Sequence, residues 1–179
     1  MPVNSNVLDE KSVITVVDPQ DGTYINEVKN HNAVDALKMI DTAVDAFNKS
    51  KILPAHVRMS VLNKVANALF EQQERFSQII AREGIKTIRE ARKETLRCVD
   101  TLRLSAEEAR RLNGETISFD QAPGSENRFG YFKQLPLGVI VAITPFNDPL
   151  NLVAHKIGPA IAAGNSVILM PHTETPLVA

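Results

Sequence analysis

At 179 residues, 44% hydrophobic and a formal net charge of −1, the chain has apolar material for one globular domain. Charge this balanced excludes a general attraction to nucleic acid or to anionic lipid. The single cysteine, Cys98, excludes an intramolecular disulfide and fits a reducing compartment. No apolar run reaches bilayer length and the opening MPVNSNVLDEKS lacks a signal-peptide pattern, so no membrane partner and a cytoplasmic location are expected.

Residues 1–11 are polar and are expected to be loose. Ser12 to Val17 reads as a strand, stopped by Asp18-Pro19-Gln20-Asp21-Gly22, a turn by composition. Thr23 to Val28 alternates as a return strand, so the pair predicts a hairpin. Four helices follow. The first, from about Asn32 to Asn48, carries Val34, Leu37, Ile40, Ala43, Val44 and Phe47 on one face. The second begins at Pro54 and carries Val57, Val61, Leu62, Val65, Ala68 and Leu69. Glu71-Gln72-Gln73 marks a break before a third, with Phe76, Ile79 and Ile80, ending at Gly84. The fourth spans about Lys86 to Asn113, with the stripe Ile88, Ala91, Thr95, Val99, Leu102, Ala106, Ala109 and Leu112, and Gly114 as its stop. Cys98 lies inside it with no neighbouring His or Asn, so it reads as a buried core residue despite nearby Arg92, Lys93 and Arg97.

Residues 115–119 and 128–135 read as strands around a polar loop, and Pro136-Leu137-Gly138 as a hinge back to the core. Val139 to Ile143 is a short, continuously apolar run, the pattern of a strand covered on both faces. Asp148 is suited to an N-cap and Pro149 to the first helical position. Leu150, Val153, Ala154, Ile157, Ala160 and Ile161 keep helical spacing, and Gly164-Asn165 suits a left-handed C-cap. Val167 to Met170 is a second buried strand, so the stretch predicts a right-handed βαβ crossover. Gly158 is explained by close packing. There is no G-x-G-x-x-G, and the four histidines have no metal-ligand spacing, so no metal is expected.

Thr144-Pro145-Phe146-Asn147, Leu150-Asn151-Leu152, His155-Lys156-Ile157, Pro159-Ala160 and Ala163-Gly164-Asn165 together resemble the NAD(P)-dependent aldehyde dehydrogenase superfamily. The resemblance begins near Ile14 and covers nearly the whole chain. It implies an α/β, incomplete aldehyde-dehydrogenase-like fold, with NAD or NADP as cofactor. Residues 12–114 would be the N-terminal hairpin and helical part of the cofactor domain, 115–136 the strands of an oligomerisation arm, and 137–179 the first βαβ unit of a parallel Rossmann-like sheet. Members of the family are well over twice this length, and their nucleophilic Cys and general-base Glu lie in the part not matched here. This chain alone is therefore expected to be inactive. An unpaired parallel edge also predicts association, as a homo-oligomer or through exposed strands.

The family role that this segment matches directly is oxyanion stabilisation, in which a fixed amide donor faces the developing negative charge. Asn147, by its place in Pro-Phe-Asn-x-Pro, matches the family's oxyanion Asn. Taken alone it would read as a turn residue; the whole block favours the family role. The resemblance places the adenosine contacts at Ile143, Thr144, Pro145 and Phe146, then at Met170, His172 and Thr173. Met170 stands where the family usually has a Lys, and a lost charged hydrogen bond costs about 1.5–3 kcal/mol. Thr173 stands where NAD-preferring members often carry a Glu, so NADP should be tolerated. His172 reads as a loop histidine first and as a partial substitute for the Lys second. Phe146 to Pro149 and Ala106 to Leu112 are similar to the branch acting on lactaldehyde and phosphonate-type aldehydes. The alternative is a non-catalytic remnant or scaffold that pairs with a full-length relative, which Met170 would suit. A helical interaction module over residues 30–113 is a third reading, opposed by the intact strand–helix–strand pattern.

Overall fold

The computed structural model describes residues 12–179, so the expectation of a loose start at 1–11 lies outside the described residues. Strands β1 (Val13–Val17) and β2 (Tyr24–Lys29) pair antiparallel, with a register shift between Val16 and Val17. Helices α1 (Ala33–Ser50), α2 (Ala55–Glu71), α3 (Gln73–Glu83) and α4 (Ile88–Glu108) follow, then an antiparallel pair, β3 (Gly114–Ser118) and β4 (Phe129–Lys133). Strand β5 (Val139–Ile143), helix α5 (Pro149–Ala162) and strand β6 (Ser166–Met170) close the order, with β5 and β6 parallel.

Helix α4 is the central beam, packed on α2, α3 and α5. Its apolar residues recur every three or four positions, and Ala91, Cys98, Val99, Leu102, Ala106 and Ala109 are all buried. Leu62 and Ala66 of α2, Ile80 of α3 and Leu150 and Ala154 of α5 complete that core. Thr87 caps α4, its hydroxyl accepting from the Glu90 N–H at 3.3 Å. The helix stops at Glu108 rather than near Asn113, because Arg110 and Arg111 donate three residues back and tighten the chain into turns. Gly114 is not a helix stop. It opens β3, where a Cβ would lie 1.6 Å from the Phe132 carbonyl oxygen.

The predicted core stripe of α1 is only partly right. Asn32 and Asp35 form a capping box, and Ala43 is buried. Ser166 Oγ of β6 donates to the Ala43 carbonyl at 2.7 Å, and Ser50 Oγ donates to the Gly164 carbonyl at 3.0 Å. Val34, Leu37, Ile40 and Val44 are exposed, because the α1 side facing the sheet is set by Ala43 and these hydroxyls.

Helix α5 is held at both ends. At its C-terminus the Asn165 N–H donates to the Ala160 carbonyl and the Gly164 N–H to the Ile161 carbonyl, a Schellman pair with Gly164 at φ +87°. Arg58 Nε adds a 2.8 Å bond to the Ala162 carbonyl, placing positive charge at the negative end of the helix. Gly158 lets α5 cross α4 closely, since a Cβ there would sit 2.6 Å from Ser105 Oγ.

Candidate functional site

Because β5 and β6 are parallel and in register, with Val139 opposite Ser166 and Ile143 opposite Met170, both carboxyl ends emerge on one side. The Thr144 N–H donates to the Met170 carbonyl at 3.1 Å, extending the ladder past the last strand pair. The rings of Phe146 and His172 then meet with centroids 5.1 Å apart, joining the turn after β5 to the segment after β6. Ile143, Phe146 and Met170 are 58%, 51% and 52% exposed, an open apolar ledge where parallel α/β sheets bind ligands. Pro145 and Thr173 are exposed beside them in the same two segments, whereas Thr144 is buried and offers no open side chain. His172 Nδ1 accepts from the Glu174 N–H at 3.2 Å, so its ring is oriented by its own loop.

Asn147 is exposed at the end of the β5–α5 turn, and among the described residues no hydrogen bond engages its side chain. Its side chain thus does not cap α5. Asp148 stands at the N-cap position with Pro149 following, as expected, but its carboxylate makes no cap bond because it is bound to Lys86 and, at 2.7 Å, to Arg97. Burial works against the charge of Asp148, but these two cations outweigh it and hold its pKa below the ordinary value. The cap comes from another helix. Glu94 of α4, fully buried, accepts from the Leu150 N–H at 2.9 Å and the Asn151 N–H at 3.2 Å, and Lys86 Nζ donates to its other oxygen at 2.6 Å. Glu83, at the end of α3, also binds two successive N–H groups, in the non-helical segment after β6. It accepts from Leu177 on one oxygen and from Val178 on the other, both at 3.0 Å. Burial pushes the Glu83 carboxyl up to about 7, against the two N–H bonds, with nearby Glu94 adding to the rise.

Glu83, Glu94 and Lys86 were missed by sequence reasoning, although a signal existed. Glu94 lies three residues after Ala91 and four before Cys98, and Glu83 lies three after Ile80, so both fall on buried stripes. A carboxylate on such a stripe requires a partner. Cys98 is 1% exposed, and burial first, with Glu94 beside it, pushes its thiol up to about 12. It is a core residue, as its position in α4 predicted.

The ledge presents apolar side chains, and Lys86 and Arg97 are already committed to the Glu94 and Asp148 carboxylates. Met170 at the end of β6 supplies no donor.

These features define a parallel α/β unit with a ligand-type carboxyl edge. The chain belongs to the aldehyde dehydrogenase family, whose sequence model matches residues 7–179. It is 47% identical over 178 residues, 99% of its length, to an aldehyde-dehydrogenase-like protein of Sinorhizobium fredii, of which it covers 35%. It is 50% identical over 145 residues, 81% of its length, to a 3-sulfolactaldehyde dehydrogenase of Priestia aryabhattai, of which it covers 30%. Among solved structures, the NADP complex of an NADP-dependent glyceraldehyde-3-phosphate dehydrogenase from Bacillus halodurans superposes with a TM-score of 0.89 at 36% identity, over 93% of this chain and 35% of that one. The chain therefore spans about a third of the length of the relatives it matches, and its fold is a partial aldehyde-dehydrogenase-like one. Among the described residues no helix is long and apolar enough to cross a membrane, and no cluster of metal-ligating side chains is present.

Proposed function

We propose that this chain forms the adenosine side of the NAD(P) site of an aldehyde-oxidising enzyme and carries one donor of its oxyanion site. The observation that supports this is the open ledge of Ile143, Phe146 and Met170 at the carboxyl ends of β5 and β6, with Asn147 free on the adjoining turn. In this reading Ile143, Pro145 and Phe146, with the backbone of Thr144, hold the adenosine from one strand and Met170, His172 and Thr173 from the other. The bound dinucleotide supplies the hydride acceptor. The Asn147 amide donates to the oxygen on which negative charge develops as a thiolate adds to the aldehyde. That thiol is not Cys98, which is buried and bears a raised pKa, so the chain alone forms no NAD(P)H from an aldehyde. The β3–β4 hairpin would be an arm for oligomerisation, and residues 137–179 the start of the cofactor-binding sheet. Small hydroxyaldehydes are the substrate class most consistent with the 3-sulfolactaldehyde dehydrogenase likeness.

A second reading, a non-catalytic partner of a full-length relative, is favoured by one observation: Met170 brings no hydrogen-bond donor to the ledge. Titration with NAD and NADP, and joining the chain to the unmatched portion of the Priestia relative, separate the two. Measurable dinucleotide affinity and an active chimaera whose kcat falls by about 10²–10³ in Asn147→Ala support the enzyme reading. No affinity together with an inactive chimaera supports the partner reading.

A further inference from the structure

Two buried carboxylates stand behind the two segments that make the ledge. Glu94 takes the N–H groups of Leu150 and Asn151, the second and third residues of α5, directly after the turn that bears Phe146 and Asn147. Glu83 takes the N–H groups of Leu177 and Val178, directly after the segment that bears His172 and Thr173. The local sequences match: Asp148-Pro149-Leu150 in one case, Thr175-Pro176-Leu177 in the other. In each, the two N–H groups bonded are those of the first and second residues after the proline. In neither does the residue before the proline bond these N–H groups: Asp148 is drawn off to Lys86 and Arg97, and the Thr175 hydroxyl is buried with no partner. A side chain at an N-cap such as Asp148 ordinarily caps its own helix. Here the N–H groups at the start of α5 and those of the non-helical segment after β6 are both bonded across the core, from α4 and α3.

We propose that Glu94 and Glu83 are positioning residues that pin the turn after β5 and the segment after β6 to the helical layer, so that the ledge is aligned by α3 and α4 as well as by the sheet. A carboxyl group that accepts from two successive N–H groups fixes both the direction and the position of the backbone it holds. Sheet hydrogen bonds end at the Thr144 to Met170 contact, so past that point the two segments are oriented by these carboxylates together with the Phe146–His172 contact, the Asp148 ion pairs and the bonds of the Glu174 and Thr175 N–H groups to His172. Lys86 couples the arrangement, since it bonds to Glu94 and to Asp148 together.

The effect on dinucleotide affinity rests on the function proposed above; the pinning itself does not, and the test keeps them apart. Amide hydrogen exchange on the unmodified chain should show slow exchange at Leu150 and Asn151, which would fray in an uncapped first turn, and at Leu177 and Val178, which lie in a segment with no helix or strand of its own. Glu94→Gln should speed exchange at Leu150 and Asn151 by about tenfold or more, the scale of a lost charge-assisted bond, and shift the Phe146 and Asn147 resonances while sparing Leu177 and Val178. Glu83→Gln should do the reverse, moving His172 and Thr173. Fast exchange at all four amides in the unmodified chain overturns the proposal, and this reading holds even where a variant does not fold. Uniform acceleration across the core in both variants also overturns it, because that is loss of stability alone. Titration with NADP then divides the remaining cases. Weaker binding in each variant supports the positioning role, and unchanged binding overturns it. No binding by the unmodified chain counts against the function proposed above, while the exchange pattern still decides the pinning.

Discussion

Glu83 is one of the few residues whose ionisation should be visible in the stability of the whole chain. Its folded pKa is raised to about 7 from 4.5, mainly by burial, so its contribution to stability is complete below about 4.5 and is lost as pH rises through about 7. Asp148, whose pKa is lowered instead, titrates below that window. Urea midpoints should therefore fall from about pH 5 to about pH 8, with an unfolding free energy lower by a few kcal/mol at most, and Glu83→Gln should flatten the dependence. An unchanged slope in the variant would mean that another group carries it. The Leu177 and Val178 amides should move the opposite way, gaining protection as the carboxylate ionises and accepts from both. At Gly158 the constraint is space. With Ser105 Oγ 2.6 Å from where a Cβ would be, Gly158→Val should separate α4 from α5 and cost about 1–3 kcal/mol, read as a lower urea midpoint at constant m-value.

At the scale of elements, helix α1 shows how far an apolar stripe can be trusted. Val34, Leu37, Ile40 and Val44 have the spacing of a core face, yet Leu37 is 64% exposed and only Ala43 is buried. Periodicity identifies a face that needs a partner without saying where the partner is. Leu37→Lys should therefore leave the thermal midpoint of the isolated chain within the small range typical of surface changes, whereas Leu102→Ala, in the centre of α4, should cost about 2–5 kcal/mol. Equal losses in a side-by-side melt would contradict the burial described above. The β3–β4 pair is a separate ribbon by the same measure. Its register runs from Gly114 opposite Lys133 to Ser118 opposite Phe129, and Phe129, Tyr131 and Phe132 are exposed. Gly114→Ala should disrupt that ribbon and leave the α2–α4–α5 core intact, because the added methyl meets the Phe132 carbonyl. Loss of cross-strand contacts at 114–118, with unchanged exchange in α4, is the expected NMR result.

On the scale of the molecule, the unfilled faces add up. The α1 stripe, the open side of β5 at Val141, the ledge at Ile143 and Met170, and the aromatic ribbon together leave apolar surface of a kind that drives association. The purified chain should self-associate in a concentration-dependent way on sedimentation, and Leu37→Lys combined with Val141→Lys should shift it toward monomer. A monomer at all concentrations would show that these faces do not associate.

Much of this was legible in the residues. The hairpin at 13–29, the four helices, the break at Gln72, and the β5–α5–β6 unit with its Gly164 C-cap all follow from local rules: period, proline position and a left-handed glycine. So did the burial of Cys98, fixed by its place on the α4 stripe. The expected cover on both faces of β5 and the burial of β6 do not hold, since Val141, Ile143 and Met170 are open, with nothing among the described residues packed over them. The gathering of Ile143, Phe146, Met170 and His172 at one edge was expected from resemblance, and it is realised by the parallel register and the ring contact. What sequence alone did not decide is which carboxylate caps which helix, and which apolar faces stay open. Asp148 sits in the N-cap position and yields to Glu94, more than fifty residues earlier, because its own carboxylate is drawn to Lys86 and Arg97. Local patterns act over a few residues of contour, while desolvation and charge act through space, so only the packed tertiary structure could settle that contest.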